Sequence, residues 1–305
     1  MVEVPVLYIT FCRPEYARQS FDAIKRAQPR KLYFYSNKAR EDRPDEVKRN
    51  EEVRAFVKEI DWNCDLHTFF REEYVDVFTS LWGALDWFFD NVNEGIIIEE
   101  DVVTCPAFYE YMTTLIEKFR DNKNIWIISG NNALPKCSQK NLSYFPTRFA
   151  DIYGWATWAD RWHSLDREMI KWPSFKHSKE YHDYYGDFFQ RCLQKQYYDE
   201  VYHNKLGYHP WDIVMNYTMA LEKAYCLMPF TNLSADIGVA GANHKEGAEI
   251  ERPLSNIMID SEHFPFEIGE PQNIVPTSFD RDFYLKNRVY GLIRRKLNKY
   301  LHVKI

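Results

Sequence analysis

The sequence predicts an α/β fold, with a mostly parallel central sheet flanked by helices, and three observations lead to it. Val4–Phe11 and Lys31–Tyr35 are short β-rich apolar runs, with Pro14 and a helical spacing of Ala17, Phe21 and Ile24 between them. Strand, helix and strand in so few residues open a parallel sheet. Gly95-Ile96-Ile97-Ile98 is another unbroken apolar run, the pattern of a strand buried on both faces. The chain has 305 residues, 45% of them hydrophobic, which supports a sizeable core and excludes a disordered protein.

The remaining elements follow in order. Glu15–Gln28 is the first helix. Arg40–Asp61 is charge-dense, with Val53, Phe56, Val57 and Ile60 on one face, and reads as a surface helix. Val75–Asn91 is a helix with Phe78, Leu81, Leu85, Phe88 and Phe89 inward, and Gly95 breaks it. Phe108–Arg120 is helical and Asn124–Ser129 is a strand. Residues 131–153 read as loop with short strands, and Trp155–Trp162 is rich in aromatic residues. Glu180–Glu200 and Asp212–Lys223 are helices, and Ala224–Pro229 is a strand. From Gly238 the periodicity fades, so residues 239–280 form a lid, a wrap-around segment or a tail. The organisation is a domain over 1–265 with a C-terminal extension over 266–305.

Composition narrows the function. A net charge of −6 argues against nucleic acid as the main partner, since phosphate binding needs a basic face. Aromatic residues reach 17%, which suits either a core rich in flat side chains or stacking on sugar rings. Residues 281–305 oppose the overall charge, with eight Lys and Arg against Asp282 alone. Their alternation with apolar residues fits peripheral contact with an anionic membrane, or docking on the acidic body of the protein. The six cysteines are scattered without a C-x-x-C pair, so they read as reduced, mostly buried thiols, with no zinc spacing. The N-terminus lacks a signal-peptide pattern and no window has the length of a membrane span, so the expected location is cytoplasmic. The sequons at Asn141, Asn216 and Asn232 then read as chance.

Chemistry concentrates where the apolar run Ile96–Ile98 meets Glu99-Glu100-Asp101. Ligands of open α/β sheets sit at the carboxyl ends of strands. Three consecutive acids there repel one another unless a cation compensates. A hard divalent ion, Mn²⁺ or Mg²⁺, bound through oxygen does so, and such ions use one or two carboxylates plus substrate phosphates. That chemistry fits a nucleotide-diphosphate donor, whose leaving group gathers negative charge as its bond to the sugar breaks. A solvated acidic turn is the plain alternative.

The segment Ile97-Ile98-Glu99-Glu100-Asp101-Val102, with Pro106 and then Phe108-Tyr109-Glu110-Tyr111, resembles the metal-binding segment of the N-acetylglucosaminyltransferases of N-glycan branching. The resemblance implies a GT-A fold and makes Asp101, the last acid, the metal ligand. Glu100 takes the place of the family's middle Asp, which contacts donor sugar or ribose, and Glu99 is counted with it. Ile9-Thr10-Phe11-Cys12-Arg13-Pro14 resembles the first strand end of bacterial polysaccharide and lipopolysaccharide glycosyltransferases. That likeness implies nucleotide contacts from Arg13 and the backbone near Thr10. Ser36-Asn37 stands where related chains carry a base-reading Asp.

Tyr153-Gly154-Trp155-Ala156-Thr157-Trp158 resembles a segment of the same bacterial group that borders the acceptor. Gly154 then allows a tight turn or close approach of substrate. Trp155 either stacks on a sugar or packs inside, whereas Trp162, one helical turn after Trp158, reads as core. In His209-Pro210-Trp211-Asp212, Trp211 joins the acceptor side. Asp212 either stabilises a helix start or, as the resemblance implies, is the general base of an inverting transfer. Residues 229–244 resemble a further segment of that group, in which His244 binds diphosphate or completes the metal site.

The reading is a metal-dependent glycosyltransferase moving a sugar from a nucleotide-sugar donor, with a UDP-sugar favoured, to a glycan or lipid-linked glycan acceptor. Two alternatives stand beside it. A sugar nucleotidyltransferase shares the sheet and the carboxylates, but Phe11-Cys12-Arg13-Pro14 lacks the usual Gly-rich triphosphate loop. A catalytically silent carbohydrate-binding protein could keep the same fold.

Overall fold

A computed structural model describes residues 2–132, 144–204, 207 and 209–238. In the first half, strands β1 (Val6–Thr10), β2 (Lys31–Ser36), β3 (Asp65–Phe70), β4 (Glu94–Glu99) and β5 (Val102–Thr104) alternate with helices α1 (Pro14–Ala27), α2 (Pro44–Arg54), α3 (Val77–Phe89) and α4 (Pro106–Phe119). Strands β6 (Ile125–Ser129), β7 (Tyr144–Thr147) and β8 (Trp155–Trp158) follow. Next come the short helices α5 (Ala159–His163), α6 (Trp172–Phe175) and α7 (Lys179–Tyr184), then α8 (Phe188–Tyr202) and α9 (Trp211–Leu221). Strands β9 (Tyr225–Pro229) and β10 (Ser234–Asp236) close the described chain.

Eight strands form one sheet in the order β3-β2-β1-β4-β8-β6-β9-β7. Six run the same way, while β8 and β7 run against their neighbours. The expected mostly parallel α/β sheet is what the chain builds. Its continuous apolar strands are explained by cover on both faces. Tyr8, Ile96 and Ile98 pack with Phe21 of α1, Val53 of α2 and Met112 of α4 on one face. Leu7, Ile9 and Ile97 pack with Leu85 of α3 and Met215 of α9 on the other.

Local signals account for most boundaries. Pro14 opens α1, with Glu15 in the first turn and Lys25 and Arg26 in the last, matching the helix dipole. Asp76 caps α3 by accepting the amides of Phe78 and Thr79. Two expectations change. The helix over Arg40–Asp61 starts only at Pro44 and tightens into a 3₁₀ turn over Ala55–Glu59, keeping Val53 and Phe56 in the core. The helix over Glu180–Glu200 is two helices. Tyr185 leaves the helical region, Gly186 follows, and the Asp187 carboxylate caps α8 through the Gln190 amide.

No disulfide joins any of the five described cysteines to another; three are buried, with Cys64 half-buried and Cys192 exposed. Asn232 is buried, and the Asn216 amide is engaged by the Asp212 carbonyl and the Ala150 amide. No described helix is long and apolar enough to cross a membrane. The 265/266 boundary and the basic segment 281–305 lie outside the described residues.

Candidate functional site

The register gathers the predicted residues along one edge. Thr10 pairs with Ser36 and Ile9 with Glu99, so the ends of β1, β2 and β4 align. All three are carboxyl ends of parallel strands, where ligands of such sheets bind.

Glu99 ends β4 and sits two residues after Ile97, so it lies on the sheet face covered by α3 and α9. Burial, then the negative charges of Asp101 and Asp236, push its carboxyl up to about 8 against the relief from Arg13. Glu100 faces the other way. Its carboxylate accepts the Phe11 amide at 2.7 Å and Arg13 Nε at 2.7 Å, and its carbonyl accepts the Ser20 hydroxyl of α1 at 2.8 Å. Burial raises the Glu100 pKa and the Arg13 charge opposes the rise. Arg13 reaches on to Asp101 Oδ2 at 3.0 Å. Glu100 is therefore tied into the protein by both carboxylate oxygens.

Asp101 is fixed from the far end of the chain. Strands β5 and β10 pair antiparallel and set Asp236 opposite Val102. The Ile237 amide then donates to the Asp101 carbonyl at 2.8 Å, and the Gly238 amide to Asp236 Oδ1 at 2.8 Å. Gly238 lies so close that a Cβ there would overlap Asp101 Oδ2. Asp236 was not singled out by the sequence. The only signal was its place in the segment before Gly238, and its nearness to Glu99 and Asp101 depends on the β5–β10 pairing.

The donor set suits a hard divalent ion, being oxygen only, with the charges of Asp101 and Asp236 adding to burial in raising the Glu99 pKa. Among the described residues, no three His, Cys, Asp or Glu side chains are gathered to hold a metal. A cation here would be held by Asp101 with substrate phosphates completing its shell, a pattern usual for Mg²⁺. His244 lies outside the described residues.

The remaining nucleotide candidates are less open. Thr10 is buried and its hydroxyl donates to the Tyr35 carbonyl at 2.9 Å. Ser36 Oγ accepts Arg54 Nε at 3.1 Å, and its hydroxyl donates to the Asn37 carbonyl at 3.2 Å. The Asn37 side chain donates to the Val75 carbonyl at 2.9 Å and accepts the Lys38 amide at 3.0 Å. These side chains shape the edge from within. The exposed Tyr74 ring lies 6.3 Å from Phe11, with the Arg40 guanidinium 5.3 Å over it.

On the α9 side, Trp155 pairs with Ile97 and Ser129, which places it beside the carboxyl ends of β4 and β6. Trp155 is 1% exposed and stacks on Trp211, so both rings are buried in the core of this face, closed to a sugar in this arrangement. Trp162 is core, as expected, and donates to Asp86 at 2.7 Å. Asp212 follows Trp211 in the first turn of α9. Gly154 does need its glycine, with φ of 74°, but its close neighbours are Ser234 and Phe108. The turn before Asp212 is held by His209, which contacts the Arg167 carbonyl at 2.8 Å and accepts Trp82 Nε1 on its own carbonyl at 2.9 Å. The fold thus brings Asp101, Glu99 and Arg13 to one edge, and stacks Trp211, which precedes Asp212, on Trp155 of the strand beside β4.

No model of a known protein family matches the chain. Solved structures to which it is similar include a mannosyltransferase of Pyrobaculum calidifontis in complex with GDP-Man and Mn²⁺, at 12% identity and a TM-score of 0.34, covering 53% of this chain and 46% of that one. Mouse xyloside xylosyltransferase 1 matches at 12% identity and a TM-score of 0.34, over 70% of this chain and 80% of that one. A UDP-glucose pyrophosphorylase complexed with UDP-glucose matches at 6% identity and a TM-score of 0.39, over 77% of this chain and 94% of that one. The chain thus spans under half the length of the mannosyltransferase.

Proposed function

We propose that this protein is a metal-dependent glycosyltransferase of the GT-A type, using a nucleotide-diphosphate sugar and inverting the anomeric centre. The observation that carries the reading is the nearness of Asp101 and Asp236 to Glu99 at the carboxyl edge of the sheet, where burial first and then these two charges raise the Glu99 carboxyl to about 8. Such an edge attracts a cation, and a cation attracts a diphosphate.

Asp101 is the residue that holds Mn²⁺ or Mg²⁺. When bound, the ion supplies Lewis-acid stabilisation of the leaving diphosphate. Arg13, anchored on Glu100, adds a second positive charge on the donor side. Asp212 takes the proton of the acceptor hydroxyl as that oxygen bonds to the anomeric carbon and the bond to the diphosphate breaks on the opposite face. The acceptor is a glycan or a lipid-linked glycan.

The test is a thermal-shift panel of UDP-, GDP- and CMP-sugars with and without Mn²⁺, followed by transfer assays. A stabilisation needing both nucleotide sugar and Mn²⁺, lost in Asp101→Ala, is expected. Full transfer activity in Asp101→Ala would refute the role of Asp101. Binding without hydrolysis or transfer across acceptors would leave a carbohydrate-binding protein on this fold.

A further inference from the structure

One guanidinium joins the two carboxylates assigned to donor and cation. Arg13 Nε donates to Glu100 at 2.7 Å and Arg13 Nη2 to Asp101 Oδ2 at 3.0 Å. The halves of this bridge differ. The Glu100 side chain is 4% exposed and also accepts the Phe11 amide, so that half is anchored. The Asp101 side chain is 19% exposed and that of Arg13 30%, so the other half faces the open edge. The Arg13 guanidinium also lies 5.8 Å from the Tyr16 ring centroid, a second surface against which it can rest.

We propose that Arg13 is the resident counter-ion of Asp101: in the free protein its guanidinium sits where a divalent cation sits in the donor complex, and the cation must displace it. The inference rests on the reading of Asp101 as the cation's ligand. A dication beside a guanidinium is repelled, and the ion pair must also be given up. Together these weaken binding of the ion alone on the order of tenfold at contact separations, after salt screening. Glu100 keeps the released arginine at the edge, where diphosphate oxygens can accept its freed nitrogen. Cation and diphosphate then favour each other's binding by one common factor, as linkage requires. Arg13 is a positioning residue in this scheme, setting when Asp101 becomes available.

The test titrates Mn²⁺ alone into the full chain, reading free Mn²⁺ by electron paramagnetic resonance. Arg13→Gln is expected to bind Mn²⁺ about tenfold more tightly than the parent. Arg13→Lys keeps a charge against buried Glu100 but cannot address two carboxylates through separate nitrogens. It should tighten binding by a smaller factor, and it decides the matter if Arg13→Gln does not fold. Unchanged or weaker Mn²⁺ affinity in the folded variants overturns the proposal. Asp101→Asn separates the two failures. If it binds Mn²⁺ as the parent does, the cation reading falls and this inference with it. If it loses Mn²⁺ while the Arg13 variants bind no tighter, only the counter-ion role falls.

Discussion

Trp155 and Trp211 stack with ring centroids 5.0 Å apart and planes 18° from parallel. One ring belongs to a strand paired with β4, the other opens the helix that carries Asp212. The contact therefore couples the position of the proposed base to the strand that delivers Glu99–Asp101. Truncating either ring leaves a large cavity in a closed core. Trp211→Ala should cost about 3–5 kcal/mol in urea unfolding and most of the transfer activity. Trp211→Phe keeps part of the stack and should cost less on both counts. Full activity in Trp211→Ala would show that Asp212 does not need this support.

Asp212 itself is tested by an isosteric variant that removes the carboxylate's proton chemistry. Asp212→Asn keeps the shape of the first turn of α9, whose interior contacts come from Trp211, Val214 and Met215. Loss of a general base should lower kcat by about 10²–10⁴. Mn²⁺-dependent stabilisation by the donor should survive, because the base serves the acceptor. A variant that loses donor binding and transfer together would place Asp212 on the donor side.

The difference between Glu99–Asp101 and Ser36–Asn37 shows what sequence could reveal. The acids follow an unbroken apolar strand, and register then puts them at a sheet edge, so local pattern sufficed. Ser36 also ends a strand and Asn37 follows it, but their polar groups are taken up by Asn50, Arg54 and Val75, which come from other parts of the chain. Strand β3 escaped notice because Asp65–Phe70 is an edge strand, half-exposed, with no apolar alternation to mark it. The three-residue strands β5 and β10 are too short to carry a pattern, yet their pairing brings Asp236 and Gly238 to Asp101. Trp155 had two readings in sequence, and only the partner ring of Trp211 decides between them.

A pH effect is expected away from the site. Burial works against the Asp199 charge, but Lys195, Lys176 and Trp172 Nε1 hold its carboxyl down at about 2. The folded value lies below the unfolded one of roughly 3.9, so this stability is present above that value and lost as pH falls towards about 2. Asp199→Asn should therefore cost about 2 kcal/mol at pH 7. The gap between variant and parent should close between about pH 4 and 2 in urea unfolding. A gap constant across that window would show that the contacts act through shape and not through charge.

Gly238 offers a test of Asp101 that leaves the carboxylate chemically intact. The residue has no room for a methyl group, since a Cβ would overlap Asp101 Oδ2 with Cβ and Cγ close behind. Neither side can yield freely. Asp101 is held by the Ile237 amide through its carbonyl, and Gly238 by Asp236. Gly238→Ala must then push the Asp101 carboxylate aside or lift the segment after β10, at a cost of about 1–3 kcal/mol. Mn²⁺-dependent stabilisation by nucleotide sugar should fall at least tenfold in apparent affinity. Gly186→Ala is the matched control, because a Cβ there meets nothing within 4 Å. It should leave the Mn²⁺-dependent shift unchanged. Equal donor affinity in Gly238→Ala and the parent, measured by calorimetry with Mn²⁺ present, would mean that the carboxylate of Asp101 can move without consequence. The cation would then have to be held elsewhere.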